Sequence, residues 1–277
     1  MVHQKRLSAP EAWPVERKNQ VYTVASHAGP HGGDAVPLVV FVRDVLGYVE
    51  NAKELRYALD NDGVLVNGEA VSDHRLPVGT FDIVAFPARD EYYRVFPGEG
   101  GRLSLVSVEE DAADNKLARI DGITYLKGGD VQLNLHNGAN VVVDDDGYST
   151  KDSVVIDLET NDVLERFSFE EGSAVTAVDG RHSGEVGELT EYIVSEGSSP
   201  NTVIAELPDG STFETVEEYI FVIGESVSDL EEQEEGGTQE TGSATETEVE
   251  DAEEETSAET GEEDENVEAD EEEEAEE

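Results

Sequence analysis

Three consecutive aspartates followed by a glycine, Asp144 to Gly147, invite a calcium reading, because hard cations collect carboxylate oxygens. A helix-flanked calcium loop alternates its ligands and closes on a glutamate, whereas Val142 and Val143 occupy the alternating places, so a hairpin tip is the expectation. Asp60 and Asp62 ahead of Gly63 fail the same test and read as helix termination. Gly98, Gly100 and Gly101 do not continue as a dinucleotide fingerprint, since Leu103 stands where the last glycine is required. His27 and His31 flank Gly29-Pro30, a turn and not a helical face, so no metal pair is expected there. No paired-histidine zinc motif, serine elbow or phosphate-binding glycine loop occurs. The chain has no Cys, which excludes disulfides, thiolate zinc sites, iron-sulfur ligation and a thiol nucleophile. Neither catalysis, a cofactor nor a small-molecule substrate is expected.

What remains is a set of cations. Lys5, Arg6, Arg17 and Lys18 lie in an amino-terminal stretch with Trp13 and several prolines, which has too little periodicity to fold alone and reads as an arm that orders on binding. Arg43, Lys53 and Arg56 interrupt an apolar stripe of helical period, and cations on a helix pair beside a hairpin make a surface able to track phosphates.

The charge distribution supports that placement. The 277 residues carry 67 Asp plus Glu against 17 Lys plus Arg, a formal charge of -50. Residues 1–103 hold 14 acids and 11 bases, residues 104–228 hold 27 acids and 6 bases, and residues 229–277 hold 26 acids and no base. A polyanion can therefore be met only by the first part; the second, Arg166 and Arg181 included, is expected to face solvent or protein. Acid excess with scarce Lys, 6 against 11 Arg, is the composition of proteins from salt-saturated cytoplasm, where self-repulsion is screened. No run approaches the ~20 apolar residues of a membrane span, and the first twenty residues lack an apolar signal core, so a soluble, cytoplasmic protein is expected.

The elements that must hold the cations can be read next. Apolar spacing over residues 38–61 predicts two short helices, Leu38 to Leu46 and Asn51 to Asp60, the second capped by Gly63 in a left-handed conformation. Asn67-Gly68 between alternating apolar residues predicts a hairpin, and Asp82 to Phe86 a further strand. Beyond Arg94, short apolar runs separated by glycine turns predict small barrels or sandwiches, with five strands from Gly172 onward making a small SH3-like barrel. From Asp229 the chain has almost no apolar content and reads as a disordered, solvating tail.

The segment FVRDVLGYVENAKELRYALDNDGVLVNGEAV with VGTFDIV resembles the small RNA-binding module found in bacterial small-subunit ribosomal protein four, pseudouridine synthases and tyrosyl-tRNA synthetases. In the context of HQKRLSAPEAWPVERK, Gly29 to His31, YYRVFPGEGGRLSL, KLARIDG and KDSVVIDLETNDVLERFSFEEGSAVTAV, the chain resembles the archaeal/eukaryotic-type small-subunit ribosomal protein four family over residues 3 to 224. HSGEVGEL, with Gly184 and Gly187, resembles that family's KOW element, although Glu185 stands where a base is usual and Arg181 is the only cation nearby.

The resemblance implies an α+β multidomain chain: an RNA-contacting arm (1–36), the small RNA-binding module (37–94), a central β domain (95–171), a KOW/SH3-like β-barrel (172–226) and an acidic tail (227–277). It implies a structural constituent of the small ribosomal subunit that binds small-subunit rRNA beside neighbouring ribosomal proteins. The RNA-binding candidates are Lys5, Arg6, Arg17, Lys18, His31, Arg43, Lys53, Arg56 and Arg75. Two alternatives stand beside it: an RNA-modifying enzyme sharing the module, for which residues 95–224 are too short and too barrel-like, and an acidic chaperone for basic proteins.

Overall fold

The computed structural model describes residues 3–33, 35–144 and 147–224. The expected acidic tail lies outside the described residues, as do Asp145 and Asp146 of the aspartate run.

The amino-terminal stretch is folded, which corrects its reading as an arm. Strands β1 (His3–Lys5) and β2 (Tyr22–Val24) pair antiparallel. Between them Trp13 is 2% exposed and donates its indole N–H to the Ala35 carbonyl at 3.0 Å. Trp13, Ala9 and Val15 join the core of the next segment. Their irregular spacing hid this burial, because the segment packs as a coil and not as a periodic element.

That segment opens with β3 (Val36–Pro37) and a π-helical stretch, Val40–Val45, in which the Leu46 amide bonds the Phe41 carbonyl 2.9 Å away. Residues 38–42 are buried on every side, so the apolar run has no solvent face. Helix α1 (Ala52–Leu59) follows, then β4 (Leu65–Val66), β5 (Glu69–Ala70), β6 (Pro77–Val78), β7 (Ile83–Phe86), β8 (Glu91–Pro97) and β9 (Leu103–Val108). The hairpin turn is as read: Asn67 and Gly68 both have positive φ, 51° and 78°. The end of α1 differs. Asp62, with φ 52°, takes the left-handed position, and Gly63 instead lets the backbone approach the Ala58 carbonyl at 2.9 Å.

One antiparallel sheet runs β5-β4-β7-β8-β9, so the module's sheet continues past residue 94 to Val108. After a short helix α2 (Glu110–Ala113) come β10 (Asn115–Tyr125), β11 (Val131–Leu135), β12 (Asn140–Val143), β13 (Ser153–Asp157) and β14 (Val163–Phe167), in the order β12-β11-β10-β13-β14. The last sheet holds β15 (Ala174–Ala177), β16 (Val186–Ile193), β17 (Thr202–Glu206), β18 (Thr212–Val216) and β19 (Ile220–Val222), in the order β18-β17-β16-β15-β19. The described chain is thus mostly β with few helices. Gly184 (φ 86°) is required where this sheet meets β8, since a Cβ there would lie 2.9 Å from the Pro97 carbonyl oxygen.

A buried polar network joins the first sheet to the second. Asp82, 1% exposed, receives the Lys116 ammonium of β10, the Gly79 amide at 2.8 Å and Asn67 Nδ2 at 2.9 Å, with His31 Nε2 2.7 Å away. Burial alone would raise its pKa; Lys116 and His31 overcome this and hold it well below the usual carboxylate range.

Candidate nucleic-acid interface

Helix α1 begins on a reciprocal cap. Asn51 Oδ1 accepts from the Lys53 and Glu54 amides at 3.0 and 3.1 Å, while Glu54 accepts from the Glu50 amide at 2.8 Å and from Asn51 Nδ2 at 2.6 Å. Leu55 and Leu59 face the core. At 3.6 residues per turn this leaves Lys53 and Tyr57 on one outer face and Arg56 beside them. All three are exposed, and Arg56 Nε donates to the Ala52 carbonyl at 3.1 Å, which steadies the guanidinium.

The loop 73–76 lies against this helix and adds further cationic groups. The Asp73 carboxylate pairs with His27, accepts from the Arg75 amide at 2.9 Å and sits 3.6 Å from His74. The loop is pinned by the His27 amide on the Arg75 carbonyl, the Val39 amide on His74 and the Leu38 amide on Leu76. Asp73 is held below its ordinary pKa, because the Arg75 amide and His27 outweigh the effect of burial. His74 is pushed below its ordinary value, first by burial and then by the positive charge of Arg56, with Arg75 and His27 adding to it. Asp73 thus gathers His27, His74 and Arg75, and Arg56 of α1 lies close enough to act on His74, so two guanidiniums and two imidazoles form one cluster. Its Arg75 Nε is buried without a hydrogen-bond partner.

Of the nine sequence candidates, only Arg56 and Arg75 meet in that cluster, with Lys53 on the same helix. Lys5 and Lys18 are exposed and, among the described residues, have no side-chain partner. Arg17 is half-buried and donates to the Pro10 carbonyl at 2.9 Å. Arg43 is half-occupied by a two-pronged contact with Asp44, at 2.8 and 2.7 Å. Two candidates are turned inward. Arg6 is 5% exposed and binds the Glu16 carbonyl, Asn19 Oδ1 and the Tyr22 carbonyl, so it staples the amino-terminal turn. His31 is spent in the Asp82 network, its ring lying over Gly79, where any Cβ would collide with it. Spacing could not foresee either, because both contacts are made across the fold. His27 and His74 join this cluster although spacing did not single them out for it; the contiguous Asp73-His74-Arg75 was the available signal.

Of the cations of the second part, Lys116 and Arg119 are buried, against the expectation of a solvent-facing set, while Lys151 is half-buried and Arg166 is exposed although ion-paired. Lys116 binds Asp82, Lys151 approaches Glu217 at 3.8 Å, and Arg166 binds Asp152 at 2.8 Å. Arg119 of β10 reaches Asp121 at 2.9 Å and the Glu218 and Ile220 carbonyls at 2.7 and 3.1 Å, its guanidinium 4.4 Å from the Phe221 ring centre. Lys127 and Arg181 stay exposed. In the glycine-flanked turn, Glu185 is paired with His182 at 2.8 Å, and His182 stacks on Phe213.

Among the described residues no helix is long and apolar enough to cross a membrane. Residues 89–163 match the profile of the ribosomal family S4e, and residues 2–34 that of the RS4NT (NUC023) domain. The chain is 56% identical over 225 residues to the small ribosomal subunit protein eS4 of Haloarcula marismortui, spanning 81% of this chain and 96% of that protein. It is 39% identical over 224 residues to the protein of the same name from Methanosphaera stadtmanae, spanning 80% and 92%. The crystal structure of the 30S ribosomal protein S4e from Thermoplasma acidophilum superposes with a TM-score of 0.59 at 25% identity, over 70% of this chain and 96% of that one. The salt-adapted composition agrees with the halophilic source of the first relative. On these matches, which run from the amino-terminal strands through the central sheet, the chain belongs to the small ribosomal subunit protein eS4 family.

Proposed function

We propose that this chain binds small-subunit rRNA through the cationic cluster of α1 and loop 73–76, with Lys5 and Lys18 as secondary contacts. As a member of its family it is a structural constituent of the small ribosomal subunit and not an enzyme, and neither the RNA-modifying nor the chaperone alternative gains support. Ribosome association in the cytoplasm, next to other small-subunit proteins, follows from the same reading. The observation that carries the interface is that Arg56 of α1 lies close enough to His74 to act on it, together with Arg75 and His27 around Asp73, while Lys53 and Arg56 stay exposed.

Counterion release contributes little in molar salt, so affinity rests on directional guanidinium–phosphate forks and on fit. A phosphate approaching His74 would reverse the repulsion that lowers its pKa, so binding and protonation should reinforce each other. The last sheet, with its KOW-like turn, belongs on the side away from RNA, because Glu185 meets His182 and Arg181 is the only Lys or Arg nearby.

Ultraviolet crosslinking of assembled subunits followed by mass spectrometry of RNA–peptide adducts tests this placement. Adducts are expected on residues 51–60 and 72–76. Adducts confined to residues 186–216 would refute it.

A further inference from the structure

Tyr57 is 74% exposed on the outer face of α1. Leu55 and Leu59 anchor the helix, so the phenol does no packing work in the core. Helical side chains lean toward the amino terminus, which lays the ring over the turn carrying Lys53, four residues earlier. Arg56 stands next to it with its Nε on the Ala52 carbonyl, and beyond Arg56 lie His74 and Arg75. Of the two carboxylates three residues from Tyr57, Glu54 is occupied by the cap, both its oxygens accepting hydrogen bonds from residues 50 and 51, whereas Asp60 is exposed at the helix end. Asn61 Nδ2 closes the far end by donating to the Tyr57 carbonyl.

Other exposed aromatics lack this setting. Tyr22 is engaged edge-on by His3, and Tyr125 rises from the acidic part of the chain with only Lys127 at hand. An exposed π face one turn after Lys53, with Arg56 on the adjoining face of a capped helix beside loop 73–76, has the features that hold an extruded nucleobase and its phosphates.

We propose that Tyr57 is a stacking platform for one unpaired rRNA base, with Lys53 and Arg56 on the flanking phosphates. The inference rests on the rRNA reading above and adds to it that the ligand at this helix is an unstacked nucleotide and not the backbone of a continuous duplex. Charge complementarity selects RNA over an apolar protein neighbour as the occupant.

The test is assembly of full-length Tyr57→Phe, Tyr57→Leu and Tyr57→Ala chains into small subunits, in competition with wild type at molar KCl, combined with chemical probing of base reactivity. Tyr57→Phe should match wild type. Tyr57→Leu and Tyr57→Ala should each fall at least about fivefold, and one or two nucleotides should gain reactivity in those subunits. Wild-type incorporation of Tyr57→Leu with loss only in Tyr57→Ala means an apolar protein contact and overturns the proposal. No loss in any Tyr57 variant overturns it too. Arg56→Glu, run alongside, separates the two levels: if it fails while Tyr57→Leu does not, the rRNA reading stands and only the stacked base falls.

Discussion

The bases of residues 1–103 and those of residues 104–224 are employed differently in the main, although Arg6 and Arg94 of the first region are buried and Lys127 and Arg181 of the second are exposed. In the first region Lys5, Lys18, Lys53 and Arg56 are exposed, and Arg56 and Arg75 gather with two histidines. In the second, Lys116 and Arg119 are buried against carboxylates and carbonyls, and the half-buried Lys151 and the exposed Arg166 are paired with Glu217 and Asp152. The internal ones occupy positions that solvating carboxylates cannot fill, where the sheets are held together. A chain this acidic thus uses its few cations twice, outward at the proposed RNA surface and inward where its own parts meet.

The comparison breaks most visibly at the Asp82 network. Lys116→Ala would leave Asp82 buried and uncompensated, a loss of about 3–5 kcal/mol in unfolding free energy, to be measured by urea denaturation at molar KCl. A loss no larger than that of a surface substitution would show that the internal cations are not structural.

A smaller effect should appear with pH. His136, edge-on to Phe221 with its Nδ1 accepting the Arg119 amide at 3.2 Å, has its pKa pushed down to about 3 by burial and then by His31, Lys116 and Arg119. The folded value is depressed, so the neutral ring's contribution is whole above the unfolded pKa near 6.5. It is lost as pH falls from there toward about 3. Wild type should lose up to about 2 kcal/mol between pH 6.5 and 5, a slope that His136→Gln should flatten. Asp82, also depressed, enters only below about pH 4. Identical slopes in the two proteins would mean that His136 is not the titrating group.

Much of the fold was legible because its signals are local. Apolar spacing marked α1, Asn67-Gly68 marked the hairpin, and the five runs after Gly172 became five paired strands. The amino-terminal coil was misread because Trp13 is buried by contacts with residues far along the chain. The same cause limits the site. Lys53 and Arg56 could be placed by helical phase, but that Arg6 and His31 point inward, and that His27 meets Asp73 forty-six residues away, are properties of the folded chain. Net charge by region suggested the proposed interface and hid the internal role of Lys116 and Arg119, since composition does not distinguish a solvated cation from a buried one.

The division of labour is tested most directly by a paired charge reversal among cations that are all exposed and do not support the fold. Lys53→Glu with Arg56→Glu, and Lys127→Glu with Arg181→Glu, would each compete with wild type for incorporation into small subunits at molar KCl. Two charge-assisted contacts at ~1.5 to 3 kcal/mol each predict a drop of more than tenfold for the first pair, whereas the second should stay within about twofold. Equal losses in the two pairs, or a larger loss in the second, would contradict the account.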